Sequence, residues 1–352
     1  MVIGHADCPG LLGHFLYEFH MPLFFITAGY FFNLRYLTDE KTFVVKRLKG
    51  LYVPFLKWSI LFTLLHNVFF KLNIINDQFG NGTKGGVAHL YSWHDIQRNI
   101  LYSVTQMGGY DVFLNGAFWF FRALLISSIA YLVIFKLFQK VRWLHANNLH
   151  DTANRTGIAV CVLMLLWAAW KTGCNLPLSN IPQGGYRELM GTFFFGVGFL
   201  FHENPRLLHT TWWTFAGCFA IVLGFSVWLT ADMSWFSSFD HFLKLPVPAI
   251  AGFVMTYHLS SAIEKRHNVV RRFLVYCGDN TLPIFVFHIL SYKVVSLIKI
   301  AYYGMDFKQI GCHMVVHDFA HQDCFWILYA IAGVGLPLLG HYLVTKRDKV
   351  QQ

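Results

Sequence analysis

FHMPLFFITAGYFFN, residues 19–33, is apolar throughout most of its length, yet it carries His20, Pro22 and the small run Thr27-Ala28-Gly29. A segment that only had to dissolve in lipid would need none of these. Small residues let helices approach closely, and an intramembrane histidine needs a hydrogen-bond partner or a wet cavity. The stretch therefore predicts a packed interior around a polar site, with a kink where Pro22 frees a backbone carbonyl. A second histidine, His5, lies just upstream.

Composition extends that reading to the whole chain. Of 352 residues, 55% are hydrophobic, 18% aromatic and only 13% charged, with a mean hydropathy of +0.45. This balance excludes a soluble domain and indicates a polytopic membrane protein. Apolar spans of bilayer length fall near 15–34, 52–72, 113–137, 157–172, 189–201, 211–230, 247–263, 281–303 and 325–344. The expected fold is an all-α membrane helix bundle of about nine transmembrane helices.

The net charge of +10 is explained by topology rather than by nucleic acid. Arg35, Lys41, Lys46, Arg47 and Lys49 follow the first span, and Lys136, Lys140, Arg142 and Arg155 follow the third. Lys265, Arg266, Arg271 and Arg272 come after the seventh, and Lys346, Arg347 and Lys349 after the last. The intervening loops carry few basic residues, so the positive-inside rule puts the rich loops and the C-terminus in the cytoplasm. An odd number of spans then leaves Met1 outside, without a signal peptide. The expectation is that a first helix, truncated before Met1, precedes this sequence.

Five short motifs occur in order: VIGHAD (2–7), FHMPLFFITAGYFF (19–32), KRLKGLYVPFLKW (46–58), NGAFWFFRALL (115–125) and GDNTLPIFVFHIL (278–290). Their order and spacing resemble the membrane acyltransferase-3 family of bacterial O-acyltransferases. The resemblance implies ten helices, which nine plus a lost first one supply. It further implies one integral-membrane domain over 1–345 with a short tail at 346–352, located in the bacterial inner membrane. The implied reaction moves an acyl group, usually acetyl, from coenzyme A to a hydroxyl of a surface polysaccharide or glycolipid. Acyl-CoA is then a co-substrate, and no cofactor or metal is bound.

The resemblance also assigns residues. His5 stands where the family has a histidine at the outer end of its first helix, and imidazole is the obvious general base for a sugar hydroxyl. Asp7 either orients His5 or caps a helix. His20, Trp119 and His288 line the site or bridge helices. Arg35, Arg47 and Lys49 meet the phosphates of coenzyme A, or serve only as positive-inside anchors. Many relatives have two arginines three apart in that loop, where this chain has Lys46-Arg47-Leu48-Lys49.

Arg122 is the most expensive charge in the chain, because an arginine at membrane depth needs a partner or water. It either meets the acceptor and steadies negative charge in the reaction, or snorkels to the interface. Lys293, beyond His288, is expected to reach water. Cys312, His313, His317, His321 and Cys324 share one loop, where a metal and a Cys312–Cys324 disulfide are both conceivable. No carboxylate motif completes a hydrolytic zinc site there. The glycine-rich run at 79–86 lacks the GKS or GKT ending of a phosphate loop. The rival class is a transporter or flippase with the same buried polar residues, although the chain shows no matching pair of broken-helix halves.

Overall fold

The computed structural model describes residues 1–80, 86–176, 185–233, 238–317 and 323–350, with 347–350 described by backbone alone. Every regular element among them is helical, as lipid demands of a chain that must pair its own backbone groups. The helices are α1 (Gly10–Tyr17), α2 (His20–Tyr30), α3 (Glu40–Arg47), α4 (Val53–Lys71), α5 (Trp93–Gln106), α6 (Val112–Asn115), α7 (Trp119–Phe138) and α8 (Leu149–Gly173). They continue with α9 (Tyr186–Glu203), α10 (Trp212–Trp228), α11 (Phe239–Lys244), α12 (Pro246–Glu264), α13 (Val269–Asp279), α14 (Thr281–Tyr303) and α15 (Phe325–Val350).

Among the described residues, six stretches are long and apolar enough to cross a membrane: Glu40–Lys71, Val112–Phe138, Leu149–Gly173, Phe239–Glu264, Thr281–Tyr303 and Phe325–Lys346. The other three of the nine expected spans fall on α2, α9 and α10. The first of these is a single helix of 11 residues, the last has 17, and α9 brings Arg187, Glu188 and Glu203 into its length. By contact the chain forms two compact units. One comprises 1–13, 54–119 and 266–352, the other 14–53 and 120–265.

In the second unit, the stretch 19–33 departs from the single kinked helix its sequence suggested. The helix stops at Tyr17 and restarts at His20, with Phe19 at φ −137° and ψ −17°. Pro22 sits in the first turn of α2, where its missing N–H breaks no helical bond. Two buried polar side chains stabilise the break. Nδ1 of His20 donates to the Leu16 carbonyl at 2.8 Å, one of the carbonyls left over at the end of α1. Oε1 of Glu18, which is fully buried, accepts the Ala231 N–H at 3.2 Å.

The small residues do what their sequence predicts. A Cβ on Gly29 would run into the carbonyl of Phe195, and one on Gly198 into the carbonyl of Ile26. Helices α2 and α9 thus touch backbone to backbone. Around the contact, Phe32, Tyr131, Phe195 and Phe199 pack ring on ring at centroid distances of 5.0 to 5.9 Å. Gly29→Ala or Gly198→Ala should therefore destabilise the protein by roughly 1–3 kcal/mol, because a main-chain carbonyl cannot step aside. An unchanged thermal midpoint in detergent would refute the close approach.

In the first unit, α14 packs along α15, and the N-terminal segment lies on α15 through the 3-10 turn Ile3–His5. Ala6, Tyr292, Val295, Val315 and Tyr329 form one buried cluster, and the Tyr292 hydroxyl donates to the Val2 carbonyl at 2.6 Å. The long segment between α4 and α6 contains α5, whose N-terminus is closed by a reciprocal Ser92–Asp95 capping box. Its far end is pinned by His66. Nδ1 of His66 is hydrogen-bonded to Oδ2 of Asp111 at 2.6 Å, and Nε2 donates to the His89 carbonyl at 2.8 Å. The imidazole stacks on Tyr91 at 3.5 Å.

Candidate functional site

His5 acquires its geometry from two anchors on α14. Tyr292 holds the turn by the Val2 carbonyl, and His288, four residues earlier and so on the same helix face, reaches the imidazole. Nδ1 of His5 and Nε2 of His288 are 3.0 Å apart, with ring centroids 5.3 Å apart and planes inclined by 25°. The protons follow from the partners. Nδ1 of His288 faces the carbonyls of Phe285 at 2.9 Å and Ile284 at 3.2 Å. Carbonyl oxygens only accept, so that nitrogen carries the hydrogen. In neutral His288, Nε2 is then the acceptor, and His5 must donate from Nδ1. In neutral His5, Nε2 then carries no hydrogen. That is the tautomer a general base needs.

One motif residue supports this pair. Phe118 stacks on Phe285 at 5.8 Å and 11°, steadying the residue whose carbonyl takes the His288 proton. Trp119 follows it, half-buried, as the first residue of α7. Asp7 is not brought to the imidazole. It is exposed, at φ 59°, and His288 occupies the position expected of an orienting group.

Lys293 departs from its expectation of reaching water. It is buried, and its ammonium donates to the carbonyls of Ile310 at 2.7 Å and Cys312 at 2.6 Å. A side chain on α14 can stay inside because the short 3-10 turn Phe307–Gly311 aims carbonyls at it. Cys312 and Cys324 are both free thiols, one buried and the other exposed, so the conceivable disulfide is not formed. Burial lowers the His313 imidazole to about 4. His321 lies outside the described residues, and among those described no group of three or more candidate ligands is placed to hold a metal.

The second unit holds the remaining candidates. Arg122 is buried on α7 and donates from Nε to Oε1 of Glu188 at 3.1 Å. It therefore does not snorkel. His20 is buried against Tyr17, ring to ring at 4.9 Å, with Nδ1 on its own chain.

In the basic loop, the Arg35 guanidinium lies 5.2 Å from the Tyr36 ring centroid and the Lys46 ammonium 5.6 Å. Hydrogen bonding from Arg35, with help from Lys46, holds the Tyr36 phenol below its ordinary range. Arg47 is half-buried over Phe43 and Phe195, and it donates to the Ala28 carbonyl at 3.4 Å. Lys49 is exposed on the π-helical turn Leu48–Tyr52 that joins α3 to α4.

The family model described as an acyltransferase domain matches residues 1–345. The chain belongs to the acyltransferase-3 family. It is an integral membrane O-acyltransferase, and its chemistry requires an acyl donor and a hydroxyl acceptor. No curated protein and no solved structure matches the acyltransferase.

Three acidic residues of this acyltransferase were not singled out by its sequence: Glu188, Glu18 and Asp111. Each is a carboxylate buried in or beside an apolar helix. The signal was available, since a carboxylate at membrane depth costs as much as Arg122 and needs a partner as much.

Proposed function

We propose that the protein moves an acyl group, acetyl in the simplest case, from acyl-CoA on the cytoplasmic side to a hydroxyl of a surface polysaccharide or glycolipid. The observation that carries this reading is the 3.0 Å hydrogen bond between Nδ1 of His5 and Nε2 of His288, which supports the His5 tautomer whose Nε2 acts as the base. In the reaction, Nε2 takes the proton of the acceptor hydroxyl as its oxygen attacks the thioester carbonyl. The carbon–sulfur bond breaks, and the proton passes from Nε2 to the departing thiolate, leaving the ester and free coenzyme A. Arg122 serves the acceptor. Its counterion Glu188 suits a neutral hydroxyl better than a full negative charge. Arg35, Arg47 and Lys49 bind the coenzyme A phosphates, and the enzyme works in the bacterial inner membrane, among its lipids, with a cytoplasmic C-terminus.

The test is turnover by purified protein in detergent micelles. Acetyl-CoA should release free thiol in the presence of a carbohydrate acceptor, and the acceptor should gain the acetyl mass. Activity that required a sealed vesicle, with no thioester cleaved, would indicate a transporter instead. In the same assay Arg35→Ala should raise the KM of acetyl-CoA by about tenfold, the loss of one charge-assisted hydrogen bond of roughly 1.5 kcal/mol. An unchanged KM would leave Arg35 a topological anchor.

A further inference from the structure

The Arg122–Glu188 ion pair is buried but only half closed. Nε of the guanidinium donates to Oε1 at 3.1 Å. Nη2 shares that edge of the guanidinium, and Oε2 is the matching oxygen of the carboxylate. In a side-on fork these two would form the second hydrogen bond. Here both are buried, and neither has a hydrogen-bond partner.

The gap is not left to side-chain choice, because α7 and α9 are tied beside it. Oγ of Ser127, on α7, donates to the Glu188 carbonyl at 3.0 Å, and Oγ1 of Thr192 donates to the same carbonyl at 2.7 Å. The neighbouring Arg187 turns away, with Nε on the Met233 carbonyl at 2.8 Å.

A buried charged donor and a buried charged acceptor on one ion pair, both unused, are costly unless something joins them. The chemistry of that something is narrow. A phosphate or carboxylate would meet the repulsion of Oε2, and an ammonium that of Nη2. A carbonyl would satisfy the arginine and leave the glutamate bare. A group that both accepts and donates serves both, and a hydroxyl does so through a single oxygen.

We propose that the open edge of the Arg122–Glu188 pair is a hydroxyl-binding site that seats one alcohol group of a polyhydroxylated acceptor, the hydroxyl accepting from Nη2 and donating to Oε2. Naming the occupant as a carbohydrate rests on the acyl-transfer reading. The donor–acceptor logic does not, and a water molecule is the other source of the same chemistry.

The experiment uses the full chain in lipid nanodiscs, acetyl-CoA as donor and n-octyl β-D-glucopyranoside as the hydroxyl probe. Glu188→Gln keeps the shape but puts an amide where the hydroxyl must donate. The KM of the glucoside should rise by about tenfold or more while that of acetyl-CoA stays put. Arg122→Lys, which keeps the charge and loses the fork, should shift the same constant. A readout on unmutated protein guards against variants that fail to fold: adding the glucoside should move one carboxylate band in the difference infrared spectrum. No band shift, or an unchanged glucoside KM in a folded Glu188→Gln, overturns the site and leaves it holding water only. A band shift in wild-type protein that never cleaves acetyl-CoA upholds the hydroxyl site and sinks the acyl-transfer reading instead.

Discussion

His5→Ala is expected to reduce acyl transfer by about 10²–10⁴-fold, the usual contribution of a positioned general base, while the protein inserts and folds. The two effects separate because His5 is only half-buried and lies on a single 3-10 turn. That turn has other ties, namely the Tyr292 hydroxyl on the Val2 carbonyl and the burial of Ala6. Removing the imidazole leaves Nε2 of His288 without its donor, a penalty of about 1–3 kcal/mol for a neutral buried acceptor, which a helix bundle of this size can absorb. The measurement is initial rate of thiol release, with thermal unfolding alongside. Wild-type turnover by a folded His5→Ala protein would remove the base assignment.

The second large effect is on stability. Asp111→Ala should cost about 2–5 kcal/mol, combining a buried hydrogen-bonding group left without its partner and a lost helix cap. Nδ1 of His66 lies 2.6 Å from the carboxylate and Nε2 donates to the His89 carbonyl at 2.8 Å, so loss of the carboxylate leaves a buried ring nitrogen without its partner. Asp111 is also the N-cap of α6, with Oδ1 accepting from the Phe113 and Leu114 amides at 2.9 and 3.4 Å. Because α6 leads into Phe118 and Trp119, the lesion should reach the support of His288 and lower activity as well. Thermal unfolding of Asp111→Ala, His66→Ala and the double variant gives the coupling between the two residues. Additive losses would mean that the pair is not a unit.

What was legible in the sequence was local. Spans of apolar residues, basic loops and five ordered motifs lie along one dimension. From them came the all-helical membrane fold, the family and the close approach signalled by Gly29. The break at Glu18 and Phe19 was harder to see. Pro22 looked like the disruptive residue, but proline is harmless in a first turn, and the break is held by Leu16 and by Ala231, which is far off in the chain.

Lys293 was misjudged for the same reason, since the carbonyls that make its burial tolerable belong to another element. Length and hydropathy alone determined that this chain lives in a membrane, and motif order determined its class of chemistry. Only the tertiary structure decided that His5 meets His288, 283 residues away, and that Arg122 meets Glu188, 66 residues away. The direction of a proton and the half-open ion pair depend on atoms a few ångströms apart that the chain itself keeps distant.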